Sequence, residues 1–245
     1  MIASISLAAA ILGQSCSECA GGKNDLHATV EAPAPRPLQT TLKGSAVESF
    51  RKIVEGNARF AEGLSQNKNQ GSERRREVAT GQSPHTIFLS CADSRVPPEV
   101  IFDQGLGDIF IVRVAGNIID TNSIASIEYA AAVLGSPLLV VLGHERCGAV
   151  DAAVKADKDP SGLGTNKEMA NIEALVAQIM PSVKAVKGAQ GNLLDNAILK
   201  NVEMTKMNVI TKSPMLDRMV KEGKFSVVGG VYDLDTGRVT FTETN

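Results

Sequence analysis

Two short apolar runs, each closing on metal-donor side chains, constrain this chain more than any other feature. Ile87-Phe88-Leu89 leads through Ser90 to Cys91, with Asp93 and Arg95 following at alternate positions. Pro137 to Leu142 leads to His144 and Cys147. A continuous apolar run without alternation marks a strand covered on both faces, the habit of a parallel sheet flanked by helices. In open sheets of that kind, ligands collect beyond the carboxyl ends of the strands. Two strands that end in Cys and His therefore aim their donors at a common place.

The rest of the chain supports such a sheet. Strands are expected over 86–91, 108–114, 137–142, 225–232 and 239–242, the last two around the turn Asp235-Thr236-Gly237. Between them, helical periodicity runs over 123–134, 148–158, 166–179, 193–212 and 214–222, with a short Pro-initiated helix at Pro97-Pro98-Glu99. Ser45 reads as an N-cap with Glu48 at capping-box spacing. Val47, Phe50, Ile53, Val54, Ala58 and Ala61 then recur at helical steps through residue 62. Residues 65–84 are polar, with a short helix expected at 74–80. Alternation of this kind predicts an α/β fold with a mostly parallel central sheet flanked by helices.

Composition excludes several classes of partner. The chain has 245 residues, 43% of them hydrophobic, enough for one sizeable core. A net charge of −2 and a pI near 6.0 leave no basic face for nucleic acid or an anionic membrane. Arg74-Arg75-Arg76 lies between Glu73 and Glu77 and reads as solvated surface. Aromatics are 4% of the chain and Trp is absent, so stacking platforms are not expected. Residues 1–20 hold no Lys or Arg and are apolar from Ile2 to Leu12, long enough for a signal-peptide core and too short to span a bilayer. They predict a signal peptide or, through Gly13-Gln14-Ser15-Cys16, a lipoprotein leader, and hence a periplasmic or secreted protein, otherwise a cytoplasmic one. Cys16 and Cys19 belong to that leader. Residues 21–44 form a Pro-rich linker, and 45–245 a single catalytic domain.

Cys91, His144 and Cys147 make a Cys₂His set. Three protein ligands with one open position are the signature of a catalytic zinc site rather than a closed structural one. Zinc lowers the pKa of a bound water toward ~7. Two thiolates oppose this by donating charge, so a neighbouring group should hold the water. On an extended segment Asp93 would share a face with Cys91 and accept that hydrogen bond, with Arg95 pairing to it. Asp93 has a second option, to bind the zinc itself and close the site. The plainer readings are a turn ion pair for Asp93 and Arg95, and small core residues for each Cys and His taken alone.

The residues Cys91-Ala92-Asp93-Ser94-Arg95-Val96, followed by Gly143-His144-Glu145-Arg146-Cys147-Gly148-Ala149, resemble the β-class carbonic anhydrases. So do the runs at Glu55–Phe60, Pro97–Gly105, Val112–Asn117, Ser126–Ala130 and Tyr232–Gly237, which resemble the bacterial branch. The resemblance spans 45–242. It implies one zinc ion per subunit on Cys91, His144 and Cys147, with Asp93 and Arg95 as the catalytic dyad. It implies reversible hydration of CO₂ to bicarbonate by zinc-bound hydroxide, and a homodimer or homotetramer with an N-terminal helical arm over its neighbour. Gln104 and Tyr129 match the family's substrate-contacting residues; their plainer readings are a helix-capping amide and a half-buried aromatic. The absence of Trp and the retention of Gln104 favour the open form over the one in which Asp93 binds zinc. Neither His27 nor His85 sits at a position that connects to the zinc. Glu145 and Arg146 read as surface or interface residues. The alternatives are a CS₂ or COS hydrolase on the same scaffold, and a non-catalytic zinc-stabilised binding protein.

Overall fold

In the computed structural model, residues 42–159 and 167–242 are described. The expected leader, nearly all of the linker, and Cys16, Cys19 and His27 lie outside the described residues. In chain order the elements are α1 (Ser45–Ala61), α2 (Ser72–Val78), β1 (Thr86–Ser90), α3 (Pro98–Ile101), β2 (Ile109–Arg113) and α4 (Thr121–Ala132). They continue with β3 (Leu138–His144), α5 (Gly148–Lys158), α6 (Ala170–Ala185), α7 (Leu193–Lys212), α8 (Pro214–Lys221), β4 (Ser226–Tyr232) and β5 (Val239–Thr242). Among the described residues, no helix is long and apolar enough to cross a membrane.

The strands form one sheet in the order β2-β1-β3-β4-β5. The first four are parallel, and β5 returns antiparallel to β4. Strand side chains alternate between the two faces. Ile87, Leu89, Leu139 and Val141 pack with Ile127 of α4, Val202 and Val209 of α7, and Leu216 of α8. Phe88, Leu138, Val140 and Leu142 pack on the other face with Ala46 and Ile53 of α1 and Ile101 of α3. Both faces are covered, which is why β1 and β3 are buried along their whole length.

Five local expectations change. Ser45 is the first helical residue rather than the N-cap; Gly44 holds that place at φ 56°, without a side-chain cap. Glu48 pairs with Arg51 instead of closing a capping box. The buried face of α1 runs through Ala46, Ser49, Ile53, Gly56 and Asn57, leaving Val47 and Val54 half-exposed. Two contacts impose this rotation. A Cβ on Gly56 would lie 1.9 Å from the carbonyl oxygen of Phe102, so only glycine allows α1 to approach α3. Asn57 Nδ2 donates to the carbonyls of Ile101 and Gly237, and its Oδ1 accepts from the Val239 N–H.

Farther along, α4 begins two residues before the expected start, because Asp120 and Ser123 form a reciprocal capping box. The expectation of a helix ending at 179 also fails. α6 continues through Pro181 to Ala185 because Ile179, Ser182 and Val183 are buried, and tertiary packing overrides the local cost of proline.

Asn57→Ala removes three hydrogen bonds and leaves buried backbone groups unpaired. It is expected to lower folding stability by about 3 kcal/mol in urea titration. A loss below about 0.5 kcal/mol would mean that Asn57 does not fix the position of α1.

Candidate metal centre

The chain runs from β1 outward to β2 and then to β3, on the opposite side of β1. A crevice opens at the carboxyl ends where the order reverses. Cys91 follows directly on β1, His144 is the last residue of β3, and Cys147 is the N-cap of α5. The donor atoms of these three residues lie within 4.8 Å of one another, and all three side chains are buried. The two sulfurs are 3.9 Å apart.

His144 is the clearest sign that this cluster fits a metal. Its Nδ1 lies 2.8 Å from the Glu145 carbonyl, which can only accept, so Nδ1 carries the proton. Nε2 is left with a bare lone pair, fully buried and without a hydrogen-bond partner. A buried polar atom of that kind is costly unless something fills its site. The backbone carbonyl plays the usual outer partner of a metal-binding imidazole, fixing tautomer and ring orientation together.

The sulfurs are prepared for negative charge. The Cys147 thiol against Cys91, with the N–H groups of Asp93 and Gly116, overcomes burial and holds the Cys91 thiol well below its usual range. The same contact, together with burial, pushes Cys147 up, so the pair takes one negative charge readily and resists a second. Backbone N–H groups of Ala149 and Val150 in the first turn of α5 offset part of this at Cys147. A cation between the sulfurs would hold both as thiolates.

Asp93 stands beside this group, but not by strand alternation. β1 ends at Ser90, and the chain then turns, with the Val96 N–H donating to the Asp93 carbonyl. Within that turn Asp93 Oδ1 accepts from the N–H and Nε of Arg95, and Oδ2 accepts from Nη2 at 2.8 Å. The expected extended geometry is therefore replaced by a turn that pairs the same two residues. Hydrogen bonding from the Arg95 side chain holds the Asp93 carboxyl well below the usual range, although burial opposes it. Oδ2 is 3.8 Å from His144 Nε2, adjacent to the pocket yet engaged by Arg95.

Two contributors escaped the sequence reading. Arg113, the last residue of β2, donates from Nε to the Cys91 carbonyl at 3.0 Å and from Nη2 to the Asp93 carbonyl. It clamps the backbone that carries both residues. Gly116 donates its N–H to Cys91 Sγ at 3.2 Å. The only available signal was their place in the run Val112–Asn117 after a strand.

The remaining predicted residues lie elsewhere in the chain. Gln104 is buried; its Oε1 accepts from His85 Nε2 and its Nε2 donates to the Phe102 carbonyl. Tyr129 stands half-exposed on α4. Glu145, Asp233 and Asp235 converge near the surface, where Arg146 pairs with both oxygens of Asp235.

A protein-family model described as carbonic anhydrase matches residues 86–239. Carbonic anhydrase 2 of Mycobacterium tuberculosis is 38% identical over 200 residues, covering 80% of this chain and 93% of that protein. A carbonic anhydrase of Pseudomonas aeruginosa is 33% identical, covering 78% and 86%. Among solved structures, a Coccomyxa β-carbonic anhydrase in complex with acetazolamide superposes with a TM-score of 0.58 at 27% identity, over 76% of this chain and 83% of that one. The β-carbonic anhydrase CcaA shares the fold, with a TM-score of 0.60 at 24% identity, over 78% and 86%.

Metal analysis of the purified protein is expected to find close to one transition-metal ion per chain. His144→Ala and Cys147→Ser should each lower that stoichiometry severalfold while the sheet still forms by circular dichroism. Full occupancy in both variants would rule this cluster out as the metal site.

Proposed function

The chain belongs to the β-class carbonic anhydrases, and on that premise we propose that Cys91, His144 and Cys147 hold one zinc ion per subunit with Asp93 and Arg95 as its catalytic dyad. The reaction is the reversible hydration of CO₂ to bicarbonate and a proton. The observation that carries the site assignment is the buried, unpartnered Nε2 of His144, facing two sulfurs beside an arginine-held carboxylate. Thiolates and imidazole are the donor set zinc favours. Zinc there would act as a Lewis acid, making water a competent nucleophile near neutral pH.

The side chains supply orientation. Asp93, kept ionised by Arg95, offers a lone pair at Oδ2 toward the pocket and can accept a hydrogen bond from the attacking water. An acceptor at that point turns the oxygen's remaining electron pair toward the incoming carbon. Arg95 occupies both carboxylate oxygens, which supports the open form of the site, with Asp93 beside the metal rather than on it. Arg113 holds the carbonyls of Cys91 and Asp93, so ligand and acceptor keep a fixed spacing. Ile118, Val150 and Ile179 pack in the same buried apolar cluster as the two cysteines.

Assembly follows from the sheet. β2 is an edge strand of five residues, Ile109-Phe110-Ile111-Val112-Arg113, and its apolar residues are only half-buried in one chain. An open apolar edge invites pairing with another strand. We propose a homodimer joined along β2, in which Gln104 and Tyr129 of one subunit serve the site of the other.

Asp93→Ala is expected to keep its zinc while CO₂ hydration falls about 10²-fold or more in stopped-flow assays. Zinc retained with full turnover would remove Asp93 from the mechanism; zinc retained in a wild-type protein without turnover would leave a binding role. Light scattering is expected to give at least twice the 25.8 kDa chain mass. A monomer at micromolar concentration would sink the β2 dimer.

A further inference from the structure

The run Val112–Asn117 closes β2 in a tight 3-10 turn against the pocket. Gly116 lies in that turn at φ 70° and ψ 19°. A Cβ there would fall 2.7 Å from Ile179 Cδ1 and 3.2 Å from Ala149 Cβ, so glycine is required for both conformation and space. The N–H of Gly116 donates to Cys91 Sγ, and its carbonyl accepts from Asn201 Nδ2 at 2.7 Å. Asn201 sits in the middle of α7 and is 2% exposed. Its Oδ1 accepts from Ser182 Oγ on α6, which is 1% exposed. Because the Gly116 carbonyl can only accept, the Asn201 amide is locked with nitrogen toward Gly116 and oxygen toward Ser182.

Helix-packing demands explain neither residue. Their neighbours along the two helices, Val183 on α6 and Ile198 and Val202 on α7, are buried apolar residues, and an aliphatic side chain there would carry no desolvation cost. The bonded groups that benefit lie on the turn. Glycine leaves the peptides on either side of it free to rotate, so the turn keeps its shape only if both planes are held from outside; Asn201 holds the one that carries the carbonyl, leaving the N–H of the other less room to leave the sulfur.

We propose that Asn201, oriented by Ser182, is a positioning residue that holds the Gly116 N–H on the Cys91 sulfur and thereby limits how much charge Cys91 gives the metal. The proposal rests on the assignment of Cys91, His144 and Cys147 as metal ligands. An N–H···S hydrogen bond draws electron density from the thiolate, and the metal keeps more of its Lewis acidity. With two thiolates in the set, that restraint counters the donation that opposes activation of water. Outer partners of metal ligands typically govern about 10- to 100-fold in affinity or activity.

The test uses the full chain loaded with cobalt(II), whose thiolate-to-metal charge-transfer band reports electron density on sulfur. Asn201→Leu is expected to move that band to lower energy and, in the zinc-loaded protein, to lower CO₂ turnover about 10- to 100-fold with metal content retained. Ser182→Ala should shift the band in the same direction by less. Val209→Ala, a cavity variant on the same helix, should lose thermal stability and leave the band in place. A band in Asn201→Leu that moves no more than in Val209→Ala overturns the proposal. If Asn201→Leu does not fold, an unmoved band in Ser182→Ala overturns it equally. A wild-type protein with no charge-transfer band would refute the metal assignment itself, and the proposal with it.

Discussion

The pocket depends on the parallel pairing of β1 with β3. Ile87 lies opposite Leu139, and the register continues to Ser90 opposite Leu142. Just beyond it each strand delivers its donor: Cys91 one residue after Ser90, and His144 two residues after Leu142. The register is held by packing rather than by the ligands. Phe88 and Leu89 point to opposite faces, into two different clusters. A slip of one residue would exchange those faces, expelling both side chains and moving Cys91 away from His144. Each large apolar side chain that lost its cluster would cost roughly 1.5–3 kcal/mol. The core therefore enforces, at a distance, the geometry of a site to which it contributes no donor.

This division explains what could be read from the chain. Strands β1 and β3, the donor residues that follow them and the helices between them were legible, because continuous apolar runs and flanking turns are local signals. The pairing of Asp93 with Arg95 was legible as a partnership but not as a geometry. It is made by a turn after Ser90, where period-two reasoning no longer applies. The buried face of α1 was misjudged because Gly56 and Asn57 answer to Phe102, Gly237 and Val239, all distant in sequence. α6 passing through Pro181 is a similar case, decided by burial of its neighbours. Arg113 and Asn201 were invisible for the same reason. Each acts on the backbone of a residue reached only through the fold.

The electrostatics follow from a conflict built into the donor set. Two sulfurs 3.9 Å apart repel once both are ionised, and a water activated nearby would prefer a more electron-poor metal. Charge on sulfur must be tolerated without being passed on in full. The protein answers with backbone N–H groups, from Asp93 and Gly116 at Cys91 and from the first turn of α5 at Cys147. Backbone donors suit the task better than lysine or arginine. They carry partial charge, so they relieve a thiolate without competing against the cation, and they cannot swing away from it.

The same logic accounts for the position of Arg95. A guanidinium facing a dication directly would be repelled by it, yet the site needs a strong fork to keep a carboxylate ionised and aimed. Asp93 stands between the two. It presents both oxygens to Arg95, whose own side chain is 52% exposed, while Oδ2 remains 3.8 Å from His144 Nε2. The full positive charge of arginine thus stays toward solvent and acts on the pocket through an anion. The turn at Asp93–Val96 tightens this layering, since it brings the Arg95 backbone N–H as well as its guanidinium onto the carboxylate.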